Sequence, residues 1–170
     1  SNGEQVPELQ DFISEVMKAG SCTRLWLDIK NITSPKTLTD YPINACKRAC
    51  EIITEMKAQN FVEFICTGNQ TVMAKSNEYA RAAGVEIGWM GNQPASVYQQ
   101  KSYTWANLST TYMSQGGGER TIDEFTKADI AISVFNADDD ATMNYYISKA
   151  KQMKAICTNY PKKLINKMKK

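Results

Sequence analysis

The feature that most constrains this chain is a regular exchange between two hydrophobic periods. Short apolar runs suited to buried strands occur at 23–30 (TRLWLDIK), 61–66 (FVEFIC), 85–90 (VEIGWM), 129–135 (DIAISVF) and 154–158. Between them the apolar residues recur every three or four positions, the spacing of one helix face. Behind Pro7, the residues Leu9, Phe12, Ile13, Val16 and Met17 predict an N-terminal helix stopped by Gly20. Asp40 can cap a helix to about 59 with Ile43, Cys46, Ala49, Cys50, Ile53 and Met56 inside. Further helices are expected over 70–83, 121–127 and from the run Asp138-Asp139-Asp140 to about 153. Strands alternating with helices, with few hairpin signals, predict an α/β fold with a mainly parallel five-stranded sheet flanked by helices.

The stretch 91–118 breaks this rhythm. It is polar, aromatic and ends in Gly116-Gly117-Gly118, too long for an ordinary connection. It reads either as a functional loop, with Tyr98, Tyr103, Trp105 and Tyr112 available to stack on a base or to pack half-buried, or as containing a helix near 103–113.

The chain has 170 residues, the size of one domain with a substantial core. No apolar run approaches the roughly 20 residues of a membrane helix, no signal peptide is visible, and Ser1-Asn2-Gly3 reads as a cloning remnant. A cytoplasmic location follows as the expectation. There is no histidine, which removes Ser-His-Asp and Cys-His catalysis, histidine zinc sites and imidazole switching. The five cysteines are odd in number and scattered, and Cys46 and Cys50 match no zinc ribbon; reduced, buried thiols are expected. Charge is unevenly spread: the last 22 residues hold eight lysines and no acid, leaving 12 basic and 18 acidic side chains in the rest. The organisation expected is a domain over 1–160 and a basic C-terminal tail over 161–170, solvated or in contact with an acidic surface.

In open parallel sheets, ligands gather at the carboxyl ends of strands. That rule selects Asp28, Lys30 and Asn31 after the first strand, and Thr67, Gly68, Asn69 and Gln70 after the second. Gly68 sits at a strand–turn–helix junction where backbone amides can approach an anion, or where any tight turn wants a glycine. Gly117 and Gly118 precede Arg120, whose planar fork suits phosphate or carboxylate, or else the glycines are a flexible linker and Arg120 a surface residue paired with Glu119 or Asp123. Asp138, Thr142 and Asn144 open the next helix. The three aspartates serve either as helix-start carboxylates or to accept ribose hydroxyls or hold a magnesium ion.

Three segments resemble the Rossmann-like superfamily of LOG ("lonely guy") phosphoribohydrolases and DprA-type (SLOG-type) nucleotide-sensing domains. TGNQTVMAKSNEYARAAGVEIGWM is similar to that family's glycine turn, helix and third strand, with Val72-Met73-Ala74 on its Leu-Met-Gly. ERTIDEFTKADIAISVF resembles the segment in which an arginine precedes a hydrophobic strand, and DDDATMNYYISKAKQMKAI the segment of the following helix and last strand. The chain departs from the hydrolases: Gly68 stands alone in the first loop, Arg120 is followed by Thr121 where they carry lysine, and Tyr145 replaces their catalytic glutamate. The resemblance implies a divergent, single Rossmann-like domain that binds a nucleotide without LOG-type hydrolysis. Thr67, Gly68, Asn69, Gln70, Gly117, Gly118, Arg120, Asp138, Thr142 and Asn144 would then meet the ligand.

Two other classes stay open. One is an N-glycosidic hydrolase or transferase using Asp28 or Asp138 as nucleophile or base. The other is an adaptor that binds protein or nucleic acid through its lysines. The partners expected are a nucleotide, a second copy of the chain and, through the C-terminal lysines, a nucleic acid or an acidic protein; no membrane is expected.

Overall fold

A computed structural model describes residues 6–20, 22–30, 40–67 and 69–169. The chain divides into two compact units, 1–88 and 89–170. Gly68 and Asn31 lie outside the described residues.

The first unit begins with α1 (Leu9–Ala19), where the Glu8 amide donates to the Asp11 carboxylate at 2.9 Å and Gly20 ends the helix at φ 94°. Ile13 is fully buried, whereas Phe12, expected on the same inner face, is half exposed. Strand β1 (Leu25–Ile29) pairs in parallel with β2 (Val62–Cys66), placing Trp26 opposite Glu63 and Asp28 opposite Ile65. Every β2 residue is buried, and its one charged member is accommodated locally: Glu63 accepts from Trp26 Nε1 at 2.8 Å and faces Arg24 at 3.8 Å. Between them runs α2 (Asp40–Glu55), which ends before the expected 59 and buries Cys46, Ala49, Cys50, Ile52 and Ile53. Then α3 (Gln70–Ala82) leads through Gly84, at φ 68°, into β3 (Glu86–Trp89).

The second unit holds α4 (Ala95–Gln100), β4 (Trp105–Ser109), α5 (Thr110–Gln115), α6 (Glu119–Lys127), β5 (Ala131–Phe135), α7 (Asp140–Ser148), β6 (Ala155–Ile156) and α8 (Pro161–Met168). Both β4–β5 and β5–β6 are parallel. Six strands are therefore present among the described residues, not five. The one missed is β4, inside the stretch read as a loop or a helix near 103–113. Its polar residues hid it, and they are satisfied by a buried chain of hydrogen bonds: Trp105 Nε1 donates to Ser133 Oγ at 2.9 Å, and that hydroxyl donates to Asn107 Oδ1 at 2.8 Å.

Three of the four aromatic residues of this stretch are core, not a cover for a base, and the fourth, Tyr112, is half-buried. Tyr98, Tyr103 and Trp105 are at most 2% exposed. Tyr98 packs on Trp89 and Phe125 with ring centroids 4.8 and 5.4 Å apart, which accounts for their burial better than ligand stacking does. The segment from 161 onward, expected as a solvated tail, forms α8. Leu164 is buried, and Lys163 and Lys167 reach Asp140 on α7 at 3.1 and 2.9 Å. No helix among the described residues is long and apolar enough to cross a membrane.

Candidate functional site

At the carboxyl end of β1 stand Asp28 and Lys30. Asp28 occupies an exposed position between half-buried Leu27 and buried Ile29, and Lys30 Nζ lies 3.1 Å from its carboxylate. Lys30 is 69% exposed, so the pair is a direct contact screened by surrounding solvent and not held by packing. Beside it, the Thr67 amide donates to the Ile29 carbonyl at 2.9 Å and extends the β1–β2 ladder by one residue. Cys22 is exposed, contrary to the expectation of buried thiols, whereas the buried thiols of this unit, Cys46, Cys50 and Cys66, offer no nucleophile to a ligand. Burial pushes Cys66 up to about 12, with the Asp28 charge adding to the effect. Cys50, hydrogen-bonded to Cys46 and buried, is driven well above the ordinary thiol range, while that same bond lowers Cys46, which is fully buried.

The other residues selected at strand ends take up separate tasks. Asn69 caps α3, its side chain accepting from the Val72 amide at 2.9 Å, and Gln70 is an exposed first-turn residue. Gly117 and Gly118 have φ of 86° and 52°, and Gly118 caps α6. Arg120 is exposed on α6 and forms no ion pair among the described residues; its amide donates to the Gly117 carbonyl at 3.2 Å. Asn144 accepts from Lys167 at 3.1 Å.

The three successive aspartates diverge. Asp138 accepts from the Asn159 amide and side chain, each at 2.8 Å, and from Thr158 at 2.9 Å, bonds that lower its pKa, the backbone one foremost. Asp139 caps α7, accepting from the Thr142 hydroxyl at 2.6 Å and amide at 2.9 Å, which lowers its pKa too. Asp140 is held down by Lys167 and Lys163. A carboxylate run that could suit magnesium in sequence is thus spent on three different segments. Among the described residues no group of three cysteine, aspartate or glutamate side chains is placed to hold a metal.

The second unit also contains an open cleft of about 480 Å³ lined by Thr110, Thr111 and Ser114 of α5, Gly118, and Ala141, Thr142, Tyr145 and Tyr146 of α7. Both helices start where β4 and β5 end, so the cleft lies at the carboxyl side of those strands. Of the residues selected from the sequence, Gly118 and Thr142 meet here; Gly117, Arg120, Asp138 and Asn144 do not line it. Thr110, Thr111 and Ser114 were not among the residues selected from the sequence, although the hydroxyl run from Ser109 to Tyr112 was a visible signal, and Tyr145 figured there only as the replacement of a glutamate. A smaller cleft of about 220 Å³ is lined by Glu119, Ile122, Asp123, Lys149 and Gln152, with Glu119 and Lys149 in an ion pair that lowers the pKa of the one and raises that of the other.

No protein-family model and no curated protein matches the chain. Solved structures do. A glycerophosphodiester phosphodiesterase from Parabacteroides distasonis superposes with a TM-score of 0.78 over 99% of this chain at 16% identity. A putative glycerophosphoryl diester phosphodiesterase from Silicibacter pomeroyi gives 0.69 over 95% at 10% identity, and a glycerophosphodiester phosphodiesterase from Agrobacterium tumefaciens gives 0.62 over 91% at 12%. The chain spans 66, 57 and 58% of those proteins, less than two-thirds of each. This likeness overturns the expected kinship with LOG and DprA domains, and with it the nucleotide-binding reading built on that kinship. The reason is physical: alternating strands and helices specify parallel pairing with crossovers, an arrangement that doubly wound sheets and strand–helix barrels share. At these identities the comparison speaks for architecture, and the chain has the fold of these phosphodiesterases over nearly its whole length.

Proposed function

We propose that this chain belongs to a phosphodiester hydrolase acting on glycerophosphodiester-type substrates, with Asp28 and Lys30 contributing to the chemistry. The observation that carries the reading is the match of 99% of the chain to a glycerophosphodiester phosphodiesterase. It is supported by a carboxylate and an ammonium 3.1 Å apart at the carboxyl end of a parallel strand, where folds of this kind gather their reacting groups.

The chemistry follows from what this chain has and lacks. With no histidine, proton transfer falls to a carboxylate, and Asp28 is the aspartate that stands beside a cation at the carboxyl end of β1. Asp28 takes a proton from water as its oxygen forms a bond to phosphorus. The bond from phosphorus to the alcohol oxygen breaks, and the proton passes on to the departing alkoxide. Lys30 stabilises the charge that builds on the phosphoryl oxygens.

The test is incubation of the chain with glycerophosphocholine, following release of free alcohol. Turnover is expected, and Asp28→Asn should reduce it roughly a hundredfold or more, the usual loss when a positioned acid–base group is removed. No turnover by the parent chain, or equal turnover by the variant, would overturn the proposal.

A further inference from the structure

We infer that the cleft between α5 and α7 is a binding site for a small neutral polyol or sugar. The inference rests on this cleft alone and is independent of the reading given to Asp28. Its volume of about 480 Å³ falls in the range of small-molecule sites, and no charged side chain lines it. An anion entering it would lose hydration without gaining a cation. The nearby Asp139 carboxylate, already engaged by Thr142, adds negative charge at the head of α7.

The lining is rich in hydroxyls, and their commitments can be counted. The Ser114 hydroxyl donates to the Thr110 carbonyl at 2.9 Å, and the Thr142 hydroxyl donates to Asp139 at 2.6 Å. Each keeps its capacity to accept. The hydroxyls of Thr110, Thr111 and Tyr145 form no side-chain hydrogen bond among the described residues. They remain able both to donate and to accept. Groups with both capacities suit a ligand whose own hydroxyls do the same. The rings of Tyr145 and Tyr146, edge-to-face with centroids 5.0 Å apart, supply apolar surface for the C–H faces of such a molecule.

Gly118 shapes the wall. Its φ of 52° favours glycine, and a Cβ there would lie 2.6 Å from the Tyr145 hydroxyl oxygen. Only glycine permits this approach, which sets the Tyr145 hydroxyl against the glycine turn at the cleft.

Amide chemical-shift mapping of the chain titrated with myo-inositol tests the inference, with glycerol 3-phosphate as the charged comparison. Saturable shifts at Thr111, Gly118, Thr142 and Tyr145 are expected with myo-inositol, in the millimolar range of weak small-ligand contacts, and much weaker ones with glycerol 3-phosphate. Thr111→Val and Tyr145→Phe should each weaken binding roughly tenfold, because each removes a hydroxyl while keeping its shape. Gly118→Ala should abolish binding; if that variant fails to fold, Thr111→Val decides. Arg120→Ala, which lies off the cleft, should leave affinity unchanged. Absence of shifts at these amides, tighter binding of glycerol 3-phosphate, or unaltered affinity in both hydroxyl-deletion variants would overturn the inference. None of these results bears on hydrolysis by Asp28, which the alcohol-release assay reads separately.

Discussion

Asp28 at the end of β1 and the run Asp138–Asp140 at the head of α7 carry the same side chain into opposite circumstances. Each member of the run is engaged by atoms from a defined part of the second unit. Asp138 accepts from the Thr158 hydroxyl and from the backbone and side-chain amides of Asn159, Asp139 starts a helix, and Asp140 receives two lysines of α8. Asp28 has a single ion-pair partner among the described residues, an exposed lysine on a flexible stem. In sequence both are candidates, Asp28 by its place at a strand end and the run by its density of charge. In the folded chain the run is architecture, because bonds from fixed amides and paired lysines hold its charges, whereas Asp28 remains open to a reacting molecule.

The contrast can be broken in graded ways. Beyond Asp28 itself, the largest effect is expected at Lys30. Lys30→Met should slow phosphodiester hydrolysis between tenfold and a hundredfold, since charge-assisted contacts are worth about 1.5–3 kcal/mol. It should leave the melting temperature unchanged, because the residue is exposed; a fall in melting temperature with full activity would reverse the assignment. A smaller effect, on stability and not on rate, is expected at Asp139. Asp139→Ala removes the α7 cap and should lower the melting temperature by a few degrees in a thermal scan, while Asp139→Asn, which can still cap, should recover most of it. The smallest effect concerns Asp140 and is visible only in acid. Its folded pKa lies below the ordinary 3.8 because of Lys167 and Lys163. The stability it contributes is therefore present above the unfolded value and is lost as pH falls through the lower folded one. Amide exchange in α8 should quicken over that interval, and Asp140→Asn should remove the pH dependence.

The alternation of periods made the α/β class, the parallel pairing and most element positions readable. Three features escaped, each for a reason of its own. Strand β4 was hidden because Asn107 and Ser109 interrupt its apolar run; the reason Asn107 can be buried is the Ser133 hydroxyl, contributed by a strand that follows later. Helix α8 was hidden because its lysines read as a tail, whereas Lys163 and Lys167 share an aspartate on the preceding helix and Leu164 anchors the turn between them. The kinship was misread because alternation does not state which strand lies beside which. The candidate residues divided in the same manner. Asn69 and Asp139 are capping residues, as their short polar side chains at helix starts allow. Only Gly118 and Thr142 fall in the cleft, because the other hydroxyls that line it come from α5 and the middle of α7, which no strand-end rule selects.

The central claim, that Asp28 does chemistry where the aspartate run does architecture, is tested most directly by phosphorus NMR on two matched variants. Asp28→Asn and Asp138→Asn each remove one charge and keep the shape of the side chain, and each is incubated with glycerophosphocholine beside the parent chain. The account predicts that the phosphodiester resonance persists with Asp28→Asn and gives way to a phosphomonoester at close to the parent rate with Asp138→Asn, whose melting temperature alone falls. Equal rates in the two variants, or loss of turnover confined to Asp138→Asn, would contradict it.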